Sequence, residues 1–546
     1  MEDHFTYGPR RGPCVVCGQA GTACARCRVA FYCGKEHQKQ HWKLHKPTCG
    51  CLEVRADERV GRHIVAVKDI PMRTVLMREL PLVVYPGAST NPLEPTKLCV
   101  ACCLKCNETV PCSHCGWPLC KRSCPYLDRH NIECAALKPK QAPVKCFSVT
   151  ALHVLGVVRI WKTFEQEQGP RLLNLQHEMA TPSPEYGTVE AANLKVAREG
   201  FRTAVSSAAA MASTMVACSR PETLKGLERA SGAAILNGFV LMNEKCGSAL
   251  YSGLSLLEHS CVPNARVIPD EDSDSDELLL IASRDIAAGE HVTIDYNYQR
   301  FPTLSERLRT NASRGFVCRC ELCEDPTEKG TYFNAWCCTT CKSRDLKSLV
   351  TPVDAFGWQC RVCKSSGPSV DPAVRELEES FASLQASMAL HPDPLGEDAQ
   401  RLWQRFIDSA VWPKGPLHLT HHLVVKARAE LLGQGDNRYP VRIPATLKEA
   451  GYLVEICKRL LDVAVALHPP IHGDWFEVKM FLFEFTMAKL MLQHRHGLQG
   501  NRRTVNCEID KLKKELCALL AEIRHIAVTQ FELKAVQRME WLLRFV

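Results

Sequence analysis

What the sequence lacks narrows the classes of protein that it can encode. No uninterrupted apolar stretch of roughly 18 residues occurs among the 546 residues, so no membrane-spanning helix is predicted. The first residues, Met1 to Phe5, show no basic segment leading into an apolar run, and no signal peptide is expected. The net charge of +8 is small for this length, and it argues for neither nucleic acid nor an acidic surface as a partner.

Cysteine, in contrast, is abundant. The sequence contains 31 cysteines, many of them in Cys-x2-Cys pairs with histidines nearby. In a secreted protein such pairs indicate disulfides, whereas in a reducing compartment they indicate zinc. Because no signal peptide is expected, we interpret them as zinc ligands and expect the protein in the nucleus, the cytoplasm or both. The remaining composition, 46% hydrophobic and 23% charged, is that of a globular protein with two to four folded units.

The first cysteine cluster supplies enough ligands for two tetrahedral zinc sites. Its members are Cys14, Cys17, Cys24, Cys27, Cys33, His37, His45 and Cys49. The segment from Tyr32 to Cys49 resembles a MYND finger, with His37 standing where that family usually has cysteine. In the family the ligand pairs interleave. The resemblance therefore implies one ion on Cys14, Cys17, Cys33 and His37, and another on Cys24, Cys27, His45 and Cys49.

A second cluster repeats this spacing further along the chain and predicts another, MYND-like double-zinc module. Its members are Cys99, Cys102, Cys112, Cys115, Cys120, Cys124, His130 and Cys134. Cys103 and Cys106 form a rival Cys-x2-Cys pair. The sequence therefore leaves the first two ligands open between Cys99 with Cys102 and Cys103 with Cys106.

Three short motifs follow at greater distance. In order they are Glu258-His259-Ser260-Cys261-Val262-Pro263-Asn264, Gly289 to Tyr296, and Cys318-x-Cys320-x2-Cys323. Together they resemble the catalytic end of SET-domain protein lysine methyltransferases. With a finger inside the SET region, the chain resembles the SMYD family of SET and MYND proteins. The additional N-terminal finger resembles the arthropod-type branch of that family.

The third motif supplies only three thiolates, whereas a structural zinc site needs four ligands. These thiolates belong to Cys318, Cys320 and Cys323. The resemblance to SMYD proteins implies that Cys261, in the histidine-bearing turn, is the fourth ligand.

A fourth cluster predicts a zinc ribbon. Cys338 and Cys341 form one Cys-x2-Cys pair, and Cys360 and Cys363 form another 18 residues on. Cys337 is an alternative to Cys338. All four clusters together predict about six zinc ions.

The predicted fold class is a multidomain α+β protein. In chain order the predicted domains are a MYND finger at 14–49, the N-terminal part of a split, β-rich SET domain at 52–98, a second MYND-like finger at 99–134, a helical SET insert at 145–230, the C-terminal part of the SET domain at 231–300, a post-SET zinc segment at 301–325, a zinc ribbon at 336–364 and an all-α domain at 370–546. The apolar residues Leu377, Phe381, Leu384 and Met388 recur at helical spacing. A TPR-like array of paired helices suits the last domain, and an irregular bundle is the alternative.

The resemblance implies transfer of a methyl group from S-adenosylmethionine to a lysine of a protein substrate, histone or non-histone. It implies that Tyr296 is the catalytic residue, because the family's motif places this hydroxyl beside the transferring methyl group. The residues implied in binding the donor are Gly61, Arg62, His63, Asn237, Ser255, Leu257, Glu258, His259, Tyr296 and Phe316.

Three residues depart from the family's pattern. Glu258 replaces an asparagine, and an ionised carboxylate only accepts hydrogen bonds. His63 replaces the second glycine of the donor loop, and Arg314 stands where a second active-site tyrosine is often found. These departures favour an alternative hypothesis, a catalytically weak or inactive adaptor that binds proline-rich or acidic protein partners through its fingers and helical domain. In either case we expect a monomer, with neither nucleic acid nor a membrane as a partner.

Overall fold

The computed structural model describes residues 11–544 apart from several short segments. The positions outside the described residues in this range are 59, 88–96, 140–148, 166–174, 180–187, 218–219, 242–244, 271–275, 298–300, 342–347, 353–356, 368–369, 392, 394–395, 434–443 and 498–501. The chain forms two compact units. Unit 1 comprises Met1–Glu258, Val267–Thr293 and Thr310–Val317. Unit 2 comprises His259–Arg266, Ile294–Arg309 and Cys318–Val546.

Unit 1 begins with a small module built on the first cysteine cluster. Strands β1 (Arg11–Pro13), β2 (Ala20–Ala23) and β3 (Phe31–Tyr32) form an antiparallel sheet in that order. Helix α1 (Lys35–His45) follows, with an acidic residue in its first turn and basic residues in its last, as the helix dipole favours. The core of this module consists mainly of cysteines and Tyr32, so the metal ligands themselves supply much of the interior.

The other strands of the region before residue 300 are short and form small sheets of two or three strands. They are β4 (Leu52–Asp57), β5 (Gly61–Ala66), β6 (Val75–Glu79), β7 (Val83–Pro86), β8 (Val110–Pro111), β9 (Pro118–Leu119), β10 (Phe239–Val240), β11 (Gly247–Leu250), β12 (Glu258–His259), β13 (Ala265–Pro269), β14 (Leu278–Ala282) and β15 (Thr293–Ile294). Within unit 1, β4 pairs with β5, β6 with β14, and β7 with β11. Val65 also bridges to His291, which places the segment before β15 beside β5. The apolar run of β14 is buried throughout.

Helices fill the region between these strands. They are α2 (Leu127–Cys134), α3 (Val149–Glu165), α4 (Thr188–Met215) and α5 (Pro221–Asn237), the last beginning with proline at a position where the missing N–H costs nothing. Helix α3 is apolar along most of its length and is buried in one core with the second cysteine cluster. The helical insert therefore packs directly against that finger.

Unit 2 combines a small sheet with an all-helical C-terminal region. The elements are α6 (Leu304–Ser313), which begins in unit 2, α7 (Glu321–Glu324), β16 (Trp336–Cys337), β17 (Leu349–Pro352), β18 (Trp358–Cys360), β19 (Ser366–Gly367), α8 (Pro372–Ala389), α9 (Glu397–Ala410), α10 (His422–Leu431), α11 (Leu447–Leu467), α12 (Gly473–Gly497), α13 (Arg502–Ile526) and α14 (Gln530–Leu543). Strands β16 to β19 form one antiparallel sheet in sequence order.

The C-terminal helices confirm the predicted all-α character of this region. Phe381 and Met388 lie on the buried face of α8, as their spacing predicts, and the Asp371 carboxylate caps the start of that helix. Consecutive long helices pack on one another from α11 through α13. Within the described ranges, no helix combines the length and the apolar composition needed to cross a bilayer.

Candidate functional site

The ligands of the first finger come together as two groups of four. In each group the donor atoms lie within 4.8 Å of one another, and the groups are Cys14, Cys17, Cys33 and His37, and Cys24, Cys27, His45 and Cys49. The His37 Nδ1 atom lies 3.0 Å from the Cys33 sulfur, and the His45 Nε2 atom lies 3.4 Å from the Cys27 sulfur. Four thiolate or imidazole donors at this spacing suit tetrahedral zinc. The two groups have the interleaved pairing that the resemblance implies.

The second finger forms two more such groups. They are Cys99, Cys102, Cys120 and Cys124, and Cys112, Cys115, His130 and Cys134. The side chains of the rival pair, Cys103 and Cys106, have other surroundings. Cys103 is fully buried, which raises the pKa of its thiol to about 12, and Cys106 donates to the Leu104 carbonyl. The structure therefore favours Cys99 and Cys102, because their sulfurs lie together with those of Cys120 and Cys124.

A buried charged triad, which our sequence analysis missed, supports the second finger. The Glu133 carboxylate accepts from His130 Nδ1 at 2.8 Å, and it also accepts from Arg159 Nε at 2.7 Å. Arg159 donates further to the Val84 and Val100 carbonyls, each at 2.8 Å. Glu133 thus orients a zinc ligand from the outside. The only sequence signal is the three-residue spacing of His130 and Glu133 on one face of α2.

Within unit 2, Cys261 lies beside the three thiolates for which it is the predicted fourth ligand. The sulfur of Cys261 lies 3.9 Å from that of Cys318 and 3.6 Å from that of Cys323, and Cys320 completes the group. This centre ties the histidine-bearing turn to a segment nearly 60 residues later. Four thiolates at this spacing again fit tetrahedral zinc.

The ribbon cysteines also come together. The Cys338 and Cys363 sulfurs are 3.7 Å apart, and those of Cys341 and Cys360 are 3.5 Å apart. Cys337, the alternative ligand, is buried against apolar neighbours, which raises the pKa of its thiol to about 11. The geometry therefore favours Cys338 as the ligand, because its sulfur lies beside that of Cys363.

Beside the Cys261 centre, His259 connects the metal ligands to the predicted catalytic tyrosine. The His259 Nδ1 atom accepts a hydrogen bond of 3.0 Å from the Tyr296 backbone N–H, and the two rings are 5.2 Å apart. Because Nδ1 is an acceptor, the ring proton lies on Nε2, which faces the Cys261 sulfur at 3.3 Å. Asp295, next to the tyrosine, has its pKa raised to about 7 by burial, although Asn297 donates two hydrogen bonds to it.

The predicted donor-binding residues of unit 1 differ in what they offer a ligand. Gly61 has φ of +74° and open space around its Cα, so a ligand can approach the backbone closely, and the neighbouring Arg62 is exposed. Asn237 donates both amide hydrogens, to the Gln176 and Ala233 carbonyls, which leaves its oxygen to accept.

The other predicted donor-binding residues of unit 1 mostly contact neighbouring groups of the protein. The Ser255 hydroxyl donates to the Tyr251 carbonyl at 2.5 Å, and Leu257 is buried. Phe316 is half-buried, and its backbone N–H donates to the Asn311 carbonyl.

The two departures from the family's pattern at Glu258 and His63 are linked through a third residue. The His291 Nδ1 atom lies 2.5 Å from the Glu258 carboxylate, and its ring stacks on that of His63 at 4.3 Å. His63 is buried, and its own Nδ1 lies 2.9 Å from the Gly61 carbonyl. The sequence gives no signal for this role of His291, because its proximity to β5 is visible only once the strands are paired.

Glu79 is another residue that the sequence did not reveal. Its fully buried carboxylate accepts from the backbone N–H groups of Gly253 and Leu254 at 2.7 and 2.8 Å, at the start of the turn that leads to Leu257. Burial raises the pKa of Glu79 to about 7, and these two hydrogen bonds limit the shift.

Comparison with known proteins places these features in a family. A MYND finger model matches residues 14–49, and a SET domain model matches residues 61–297. The Drosophila melanogaster SET domain-containing protein SmydA-8, isoform B, is 26% identical over 328 residues, which cover 56% of this chain and 65% of that protein. The chain thus contains a MYND finger and a SET domain, and it is similar to proteins of the SMYD family.

Other similarities are more local. Human histone-lysine N-methyltransferase SMYD3 is 34% identical over 101 residues, 18% of this chain and 23% of that protein. The chain thus covers less than two thirds of these relatives' lengths. The solved SET domain of LSMT, bound to lysine and AdoHcy, aligns with 86% of this chain and 98% of that chain, at 13% identity and a TM-score of 0.31. A similarity this low supports no statement about the site.

Within this chain, the residues present suit the methionyl part of a donor better than its remainder. The open backbone at Gly61 and the acceptor oxygen of Asn237 suit an ammonium group. The Glu258 carboxylate, in contrast, already accepts a hydrogen bond from His291. Donor binding at that position therefore competes with an interaction inside the protein.

Proposed function

We propose that this chain is a protein-lysine N-methyltransferase that uses S-adenosylmethionine. The observation that carries the proposal is the contact of Tyr296 with His259, whose ring also faces the thiolate centre at Cys261. The match to a SET domain model and the relatives named as histone-lysine N-methyltransferases support it.

Methyl transfer to lysine has three requirements. Bound S-adenosylmethionine supplies a methyl group activated by a sulfonium. The acceptor lysine must lose its proton before it can attack, and apolar surroundings and a nearby positive charge both lower its pKa. The Tyr296 hydroxyl then orients the neutral amine in line with the methyl group, and holding the two at near-attack distance supplies much of the acceleration.

The zinc centre in unit 2 acts as a support for Tyr296 in this proposal. Cys261 is a ligand of that centre, and His259 stands between its sulfur and the backbone of Tyr296. Loss of the metal would free the turn and, with it, the hydrogen bond that holds the tyrosine backbone. The metal is thus structural, and Tyr296 alone contacts the reacting groups.

The test is methyl transfer from labelled donor to proteins of nuclear and cytosolic extracts. We expect wild type to label at least one protein on lysine, and Tyr296→Phe to abolish labelling while zinc content is unchanged. Tyr452→Phe is the matched control, because it removes an exposed phenol from α11. Full labelling by Tyr296→Phe would refute the role of this hydroxyl.

A second candidate function, a partner-binding adaptor, is favoured by two observations. Glu258 and His63 are occupied with His291, and helix α1 of the first finger exposes Leu44 by 74% and Trp42 by 40%. Exposed apolar side chains on a small zinc module suit a proline-rich peptide. Calorimetric titration with S-adenosylmethionine separates the candidates. A Kd tighter than about 100 μM, roughly 5.5 kcal/mol, favours the enzyme, and no detectable heat favours the adaptor.

A further inference from the structure

The start of α10 in unit 2 carries three histidines that the methyltransferase proposal does not use. They are His418, His421 and His422. The His422 backbone N–H donates to the Phe333 carbonyl at 2.8 Å, and the His418 backbone N–H donates to the Ala335 carbonyl at 3.4 Å. The segment 416–422 therefore runs antiparallel to the segment 331–337, which leads into the ribbon.

Ring contacts join the same two segments. The centroid of the His422 ring lies 6.0 Å from that of Phe333, and the centroid of the His418 ring lies 5.4 Å from that of Tyr332. The histidines therefore lie at the junction between α10 and the segment that carries β16.

His421 is buried and caps the start of α10. Its side chain is 1% exposed, and its Nδ1 atom accepts a hydrogen bond of 3.3 Å from the Leu423 backbone N–H. Only a neutral ring has an acceptor nitrogen, since both nitrogens of a charged imidazolium are donors. Protonation of His421 would therefore break the cap.

His422 is buried as well, and its ring lies 4.3 Å from that of His421. Its Nδ1 atom has no hydrogen-bond partner in the part of the chain that the structure describes. Because burial disfavours the charged form, it lowers the pKa of His422 to about 3 and that of His421 well below its usual value, and the charge of Lys426 adds to both shifts.

The charged groups around the two rings do not favour protonation. The groups that act on them electrostatically, His418 and Lys426, carry or gain positive charge. The carboxylates of neighbouring elements have other cationic partners. Glu306 of α6 lies 3.4 Å from Lys426, and Glu328 pairs with Arg307 at 2.9 Å.

Other charged groups of the elements packed around α10 are engaged or exposed. Arg361 donates to the Tyr332 hydroxyl, and Arg428 donates to the Leu419 carbonyl at 2.8 Å. At the end of α9, Arg405 and Asp408 are exposed. On α11, the exposed Glu455 pairs with Arg459 at 3.0 Å.

We propose that His421 and His422 form an acid-sensitive latch between α10 and the segment 331–337, closed while both rings are neutral and opened when they take up protons. The latch goes beyond the proposed methyl transfer and does not depend on it. A histidine whose pKa is lowered in the folded chain binds a proton more readily once its segment opens. The stabilisation is therefore nearly complete above about pH 7.5, and it is lost progressively as the pH falls below about 6.5.

Capping and packing alone do not require histidine at these two positions. Asparagine, aspartate and serine are the preferred helix caps, and none of them titrates between pH 5 and 8 as histidine does. At His422 the unpartnered Nδ1 atom makes no hydrogen bond that a polar residue would have to supply. Two consecutive buried histidines thus add a proton dependence that the junction does not need for stability.

The test is hydrogen exchange of the zinc-loaded full chain, followed in peptides that cover 331–337 and 416–424. Exchange is expressed as protection relative to the unfolded chain at each pH. Between about pH 7.5 and pH 5.5 each histidine should lower this protection about tenfold, because the opened form, with a pKa of about 6.5, becomes mostly protonated. We therefore expect protection in wild type to fall by about 100-fold.

Two substitutions assign this fall to the latch. His421→Asn keeps an acceptor for the Leu423 N–H and does not titrate, and His422→Leu removes the unpartnered nitrogen. Each single variant should show a fall of only about tenfold, and the double variant should lose most of the fall. The control His494→Asn removes an exposed histidine of α12 and should behave as wild type.

An equal fall in wild type and the double variant would overturn the proposal, because the acid sensitivity would then arise elsewhere in the chain. Unchanged protection of wild type at the lower pH would overturn it too. Native mass spectrometry follows zinc at both pH values, and a fall confined to chains that have lost a zinc ion would count against the latch. If circular dichroism shows that His422→Leu is unfolded, the comparison of His421→Asn with wild type decides.

Discussion

The buried triad of Arg159, Glu133 and His130 offers the sharpest test of how unit 1 is held together. Arg159 is fully buried, and its guanidinium donates to both oxygens of Glu133 and to two backbone carbonyls. Replacing it with methionine keeps most of its volume and removes every one of these bonds. Breaking a buried ion pair from one side leaves a charge without compensation and costs about 3–5 kcal/mol.

Local stability is best measured by hydrogen exchange of α3 in the zinc-loaded chain, because a chain with two units does not unfold as one. A loss of this size should speed exchange of the most protected α3 amides by about a hundred- to several-thousand-fold. Because Glu133 orients His130, a chelator should also remove zinc from that centre faster, with affinity lowered by about 10–100-fold.

Two further variants make the result specific. Lys162→Met removes a cation three residues further along α3, where the ion pair with Glu165 is partly exposed, and should cost only about 0–1 kcal/mol. In the double variant Arg159→Met/Glu133→Gln the stranded charge is gone, so it should be more stable than Arg159→Met alone. If Arg159→Met exchanges no faster than Lys162→Met, the triad does not support this core and our reasoning is refuted.

Three other predictions follow from single side chains. Cys261→Ser should release one zinc ion per chain in native mass spectrometry and leave the other centres loaded; retention of all zinc would contradict the four-thiolate centre. Glu79 has a folded pKa of about 7, above its usual 4.5, so its contribution to stability is full below about pH 4.5 and falls by about 3 kcal/mol as pH rises to 7. Glu79→Gln does not titrate, so its free energy of unfolding should lack this dependence on pH between about pH 4.5 and 7. An equal pH dependence in wild type and variant would rule out this role for Glu79. Gly232→Ala places a Cβ 2.1 Å from the His177 carbonyl oxygen, so an overpacking cost of about 1–3 kcal/mol should outweigh the helix propensity gain of about 1 kcal/mol. Gly451→Ala has open space around the new Cβ and should stabilise the protein. Thermal melting of both variants tests whether the two substitutions have these opposite effects.

Much of the metal chemistry could be predicted from the sequence because zinc ligands are read from residue type and spacing. The Cys-x2-Cys pairs of both fingers, the ribbon and the Cys318 motif each form a cluster in the structure. Spacing alone, however, could not separate Cys99 from Cys103, since both begin a correct pair. Spatial convergence decided between them: Cys99 and Cys102 lie with Cys120 and Cys124, although Cys99 and Cys103 are equally buried.

The sequence by itself determined the local elements: the finger modules, the amphipathic face of α8 and the type of ligand at each zinc ion. Only the tertiary structure decided which distant groups meet, because such contacts depend on strand pairing and helix packing rather than on neighbours in the chain. Arg159 reaches Glu133 across 26 residues, and His291 reaches Glu258 across 33. No periodicity records such pairs, since their energy arises only when the fold excludes water from both charges.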